Sequence, residues 1–229
     1  MIMKKLLLTT ALLAVAAPTM AHNIWLENAG QPGEYVVKFG HETTETYPEH
    51  KLTKTIAVLE DAKQESLKAT FKNGEAYLMP ATNTSLVLLG FDNGIWCKKQ
   101  NGKWVEQTKR QTPDAVSCVA ARKAGKAALK QDANLFKAHG QTYELVPQAK
   151  PEVGKPLEIL ALINGKPVAG IPVGLGEDLP SVKTNDKGIA HYTPTVGVNK
   201  VWAEFGESAK GNPDYDDVSV EYMLTFEAK

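Results

Sequence analysis

PLEILALINGKPVAG, residues 156–170, decides the fold class of this chain. Leu157 to Ile163 is an apolar run of strand length, Asn164-Gly165 is a hairpin turn dipeptide, and Val168 to Leu175 starts a second strand. Downstream, Lys183 to Tyr192 reads as a turn feeding a strand, and Lys200–Phe205 and Val218–Phe226 close the module. Upstream, the proline-bracketed Pro147–Pro151 marks a linker. Before it, Gly33–Gly40, Thr53–Leu59, Glu75–Pro80 and Ser85–Phe91 read as further strands. Asp92-Asn93-Gly94 and Gln100-Asn101-Gly102 read as turns flanking Ile95–Lys99, with Lys103–Glu106 continuing that hairpin. Short strands punctuated roughly every 8–12 residues predict an all-β chain of sandwich type. The linker divides it into two β-sandwich-like domains, 22–146 and 151–229. Val116 to Leu135 stays open between helix and strand: its Ala and Lys favour helix by propensity, and Gly125 weakens that reading.

Residues 1–21 read as a secretory signal peptide. Lys4 and Lys5 form its basic start, Leu6 to Ala17 its apolar core, and Pro18 breaks the run before the small-residue site at Thr19 and Ala21. The apolar core is shorter than the roughly 20 residues that span a bilayer. Cleavage after Ala21 exports the rest of the chain and frees an α-amine on His22. That amine and the imidazole can close a chelate ring on one metal ion.

The chain carries 26 Lys+Arg against 26 Asp+Glu, and loss of Lys4 and Lys5 leaves the exported part slightly acidic. This charge gives no electrostatic footprint for nucleic acid or for an anionic membrane surface. No second long apolar run follows, so the mature chain is expected to be soluble and not membrane-spanning. Export favours a disulfide between the two cysteines, Cys97 and Cys118, closing a loop of about 20 residues and contributing roughly 3 kcal/mol. The rival reading, a pair of thiolate metal ligands, lacks the close C-x-x-C spacing. No G-x-S-x-G, H-E-x-x-H or Walker loop is present, and the chain is read as a non-enzyme.

Three motifs in order carry a resemblance: His22-Asn23-Ile24-Trp25-Leu26-Glu27, Phe39-Gly40-His41-Glu42, and His139-Gly140-Gln141-Thr142-Tyr143-Glu144-Leu145-Val146-Pro147. The chain resembles a bacterial periplasmic family, formally a domain of unknown function, some members of which accompany energy-coupling-factor nickel or cobalt importers. Its second half also looks like a prealbumin-like or Ig-like module, through Asn164-Gly165-Lys166-Pro167-Val168-Ala169-Gly170 and Thr184-Asn185-Asp186-Lys187-Gly188. The first resemblance tilts Val116–Leu135 toward strand. It implies a periplasmic protein that binds nickel or cobalt, with copper or zinc as alternatives, and supports uptake through a membrane transporter of that type.

The residues can be asked whether they suit that chemistry. His22, His41 and His139 are the candidate ligands, offering imidazole nitrogens beside the His22 amine. Such borderline donors suit Ni, Co, Cu and Zn better than Mg or Ca. Model amines titrate near about 7.7 and imidazoles near about 6.5, so ion binding competes with protons. Trp25, Trp96, Trp104 and Trp202 are read as core, with a wall for the His22 site as the alternative for Trp25, three residues away. His50, with Glu42, Glu45 and Glu49, forms a weaker oxygen-rich candidate. Two other classes stay open: a copper enzyme that braces its metal with His22 and a second histidine, and a metal-free structural or adhesive sandwich module.

Overall fold

The computed structural model describes residues 22–41, 43–177 and 179–229; the predicted signal peptide, Glu42 and Asp178 lie outside them. The first strands are β1 (Asn23–Asn28), β2 (Tyr35–Gly40), β3 (Thr44–Glu45), β4 (Leu52–Leu59), β5 (Gln64–Ser66), β6 (Ala69–Lys72) and β7 (Glu75–Leu78). The middle of the chain forms β8 (Thr84–Lys99), β9 (Trp104–Glu106), β10 (Ala115–Ala128) and β11 (Tyr143–Pro147). The remainder forms β12 (Leu157–Ile163), β13 (Lys166–Pro167), β14 (Pro172–Gly174), β15 (Ser181–Lys183), β16 (Ile189–Tyr192), β17 (Gly197–Ser208) and β18 (Asp217–Ala228). The fold is all-β and sandwich-like.

Three sheets make three layers. The central sheet runs β15-β14-β17-β18-β10-β8-β4-β5, with β9 on β8. One face is covered by the sheet β1-β2-β7-β6, the other by β11-β12-β13 with β16. Side-chain alternation shows this along β8: Leu86 and Leu88 join the core under β11 and β12, while Val87, Leu89 and Phe91 join the core under β1 and β2. A strand covered on both faces needs apolar residues at successive positions, which explains the unbroken apolar run Leu86–Leu89. The expected boundary at 147–151 does not divide the sheets. β10, from before it, pairs in parallel with β18, from after it, over Val119–Ala127, so strands from both sides share one sheet.

Val116–Leu135 is extended through Ala128 as β10. Ladders on both flanks, to β8 and β18, satisfy its backbone and outweigh the Ala-rich helix propensity. At Gly125 an added Cβ would meet Met223 O at 3.2 Å and Ile24 O at 3.6 Å, so the glycine admits β1 close over the β10–β18 pair. The expected turn at Asp92-Asn93-Gly94 is instead an irregularity inside one long strand. The β8–β10 register slips between Ala120 and Arg122 opposite it, Gly94 has φ +87°, and Gly94 N donates to Asp92 Oδ1 at 2.8 Å. An extra residue absorbed in a ladder bends the strand without reversing it. The Gln100–Gly102 turn does reverse the chain, pairing Lys98 with Trp104.

Cys97 and Cys118 stand directly opposite on β8 and β10 and form the disulfide. Further along β10, Lys123 is buried against Glu221 at 2.6 Å, and Trp202 Nε1 approaches the other Glu221 oxygen at 3.4 Å. Burial is the main cause that raises the Glu221 carboxyl to about 7, with Lys123 opposing it. Between about 4.5 and about 7 the folded chain therefore holds a proton that the unfolded chain has released. The stabilisation is complete below the unfolded value and is lost as pH rises through the folded one. Glu221→Gln should flatten the fall in unfolding free energy between pH 5 and pH 7.5, measured by urea titration; an unchanged slope would mean Glu221 stays ionised throughout.

Candidate metal centre

The site grows from the first residue of β1. Asn23 pairs with Gly40 at the end of the β1–β2 ladder, which puts His22 and His41 on either side of that ladder end. Alternation along β1 then separates the faces. Ile24 and Leu26 enter the core with Val37 and Phe39, and His22 follows them, stacking on Phe39 with ring centroids 4.9 Å apart and planes at 23°. Phe39 stacks in turn on Phe91 at 4.8 Å, and Tyr47 meets Phe91 edge-on at 5.3 Å. Tyr47 is pinned by donating to Val37 O at 2.8 Å and accepting from Ala76 N at 3.1 Å, and burial pushes its phenol up to about 12. The His22 ring thus rests on a packed aromatic column.

Its edge is held as well. His22 Nε2 lies 2.8 Å from Glu45 Oε1. A carboxylate accepts, so Nε2 carries a hydrogen, and the neutral tautomer compatible with this contact has its lone pair on Nδ1. Imidazoles that bind metal through one nitrogen commonly give the other N–H to a carboxylate in this way. His22 is about a quarter exposed and lines a cavity of about 220 Å³ together with Glu45, Lys51, Asn93, Trp96 and Trp104. Lys51 Nζ donates to Glu106 Oε1 at 2.9 Å and to Asn93 Oδ1 at 3.3 Å.

His41 lines a different cavity, of about 320 Å³, with Trp25, Lys200 and Met223. Trp25 does not wall His22. It projects from the opposite face of β1, packs on Trp202 and Met223, donates to Glu27 at 2.6 Å and carries Lys200 4.0 Å above its ring. An odd offset along a strand reverses the side-chain direction.

His139 is not brought to His22. Its Nε2 donates to Asn134 O at 2.7 Å, and Asn134 Nδ2 donates to Leu59 O at 3.0 Å at the far end of β4. The His22 column instead reaches Phe91, which pairs with Leu52 at the near end of β4. Seven strand steps separate those ends by about 23 Å. Burial, the largest cause, lowers the His139 imidazole below its ordinary value. Its backbone N–H donates to both Glu144 oxygens, at 2.8 and 2.9 Å. Glu144 in turn meets Lys126 Nζ at 2.6 Å, and Lys126 also donates to Lys137 O and Leu145 O at 3.1 and 3.2 Å. The His139–Pro147 motif therefore builds a buried polar brace between β10 and β11. Among the described residues no group of three His, Cys, Asp or Glu that could hold a metal ion comes together.

Sequence reasoning named His22 without its partner Glu45, which it grouped with His50, and without the cavity that Lys51 and Trp104 line beside it. These residues come from three separate segments, and nothing in their local spacing points to His22. None of the helices among the described residues is long and apolar enough to cross a membrane. A family model described as a domain of unknown function, DUF4198, matches residues 19–201. An uncharacterised protein of Haemophilus influenzae is 56% identical over 220 residues, covering 96% of each chain. No solved structure matches.

Proposed function

Because the chain belongs to the DUF4198 family of unknown function, we propose its activity from the site: a periplasmic protein that captures a nickel or cobalt ion and supports its import. The signal peptide is cut after Ala21, and the ion binds the freed amine and Nδ1 of His22. Water fills the remaining positions, because His41 lines the separate cavity on the Trp25 face. The observation that carries this reading is the His22 Nε2–Glu45 contact at 2.8 Å, which fixes the tautomer that an amine–Nδ1 chelate requires. The stack on Phe39 holds the ring before the ion arrives, so little ordering remains to oppose binding.

No chemistry is done on a substrate. The ion exchanges some waters for nitrogen and later leaves, which suits a partly exposed site better than a closed four-ligand one. The receiving partner is a membrane transporter of the energy-coupling-factor type. Nitrogen donors rank copper above nickel, so selection rests on geometry and supply. Calorimetry on the exported, processed chain with Ni(II), Co(II), Cu(II) and Zn(II) tests the proposal. One ion per chain at sub-micromolar affinity for nickel or cobalt is expected. Failure of every ion to bind would favour a metal-free module, and reductant-dependent oxygen consumption by the copper form would favour an enzyme.

A further inference from the structure

The cavity beside His22 has walls that a hydrated ion does not match. Resting on the reading of His22 as an ion ligand, we propose that the ion arrives already complexed one-to-one with a small, carboxylate-bearing nitrogen chelator, whose organic body fills this cavity. An ion on His22 borders this cavity, because His22 itself is part of the lining.

Size sets the chelator's class. About 220 Å³ falls below the roughly 300 Å³ where pockets for drug-sized ligands begin, so the guest is on the scale of one amino acid. The walls set its character. Waters on a dication turn their hydrogens outward and need acceptors. Trp96 and Trp104 supply much of the wall, and the Trp96 N–H is already committed to Asn93 O at 2.8 Å. The flat ring of an imidazole or pyridine chelator instead gains by packing against aromatic side chains.

Charge points the same way. Lys51 lines the cavity, where its ammonium repels an uncomplexed dication and attracts a carboxylate. Of its three donors, one is spent on Glu106 and one on Asn93, leaving a third N–H for the chelator's carboxylate. Glu45, also in the lining, gives one oxygen to His22 and keeps its negative charge, so the lining carries both signs and suits a cation that brings its own carboxylate. The cavity therefore offers an ion-binding imidazole, aromatic walls and an anion-seeking ammonium, which match the three parts of a metal–amino-acid complex.

Equilibrium dialysis of the exported, processed chain against Ni(II) with equimolar radiolabelled L-histidine tests this. Nickel and histidine should be retained together, one of each per chain, and histidine alone should not be retained. Lys51→Met should lower retention of histidine about tenfold in the presence of nickel, while retention of nickel from histidine-free buffer stays level or rises. A fall of both together would assign Lys51 a structural role and overturn its part in the proposal. Nickel retained alone and stripped by added histidine overturns the chelate and leaves the His22 reading standing. Retention of neither overturns both, and histidine held equally well without nickel overturns the chelate by showing an ion-independent site.

Discussion

One glycine placed ahead of His22 in the processed chain should weaken Ni(II) binding by more than about 100-fold, beyond the 10- to 100-fold typical of losing an outer-shell partner. The extension turns the α-amine into a peptide nitrogen and opens the chelate ring, yet leaves the His22 ring on Phe39 and its hydrogen bond to Glu45 in place. Thermal stability should therefore not change. Glu45→Gln provides the graded companion. It keeps the shape but replaces a charged acceptor, so affinity should fall within the 10- to 100-fold range. Calorimetric titration of the three proteins, each verified by mass spectrometry to begin at the intended residue, gives the order unmodified, Glu45→Gln, extended. An extended chain that binds nickel as tightly as the unmodified one sinks the chain-start centre.

The second large effect lies at the other end of the central sheet. Glu144→Ala should destabilise the fold by about 3–5 kcal/mol, the range for stripping one partner from a buried ion pair. Lys126 is fully buried, and its ammonium depends on Glu144 and two carbonyls. Burial already lowers its pKa, and removing the carboxylate takes away the group that opposes this. The His139 N–H loses its acceptor in the same substitution. The melting temperature should drop by roughly 10 °C, from the 2–4 °C per kcal/mol usual for chains of this size. A Lys126→Met, Glu144→Leu double variant should recover most of the loss, because replacing both charges removes the stranded ion. Nickel affinity should not move in either protein, since sites this far apart act independently. A parallel loss of nickel binding in Glu144→Ala, with the fold intact, would return His139 to the centre.

That contrast shows why three histidines in similar short motifs have different fates. His22 and His41 share a ladder end because β1 and β2 are neighbours joined by a short loop. Their proximity is a local property, legible from adjacent strands. His139 follows β10 by eleven positions and leads into a different sheet. Where it lands depends on the layer that β11 joins, and a motif of nine residues carries no information about that. The pairing of Glu45 with His22 and the cavity lined by Lys51, Trp96 and Trp104 were equally hidden, since each residue is placed by a separate strand or turn.

Alternation and turn dipeptides in the sequence alone determined that the chain is β throughout, with hairpins at Asn164-Gly165 and around Asn101-Gly102. These follow from contacts with near neighbours and from the side-chain period of two, which the order of residues displays directly. The Cys97–Cys118 disulfide was legible for a different reason: an export signal and only two cysteines leave one pairing. Only the tertiary structure decided that Ala115–Ala128 is a strand, that Asp92–Gly94 bends a strand without ending it, and that β10 and β18 merge the two halves into one sheet. Each of these depends on a partner strand distant in sequence. Backbone groups are satisfied by whichever strand arrives beside them, and local composition does not record which one that is.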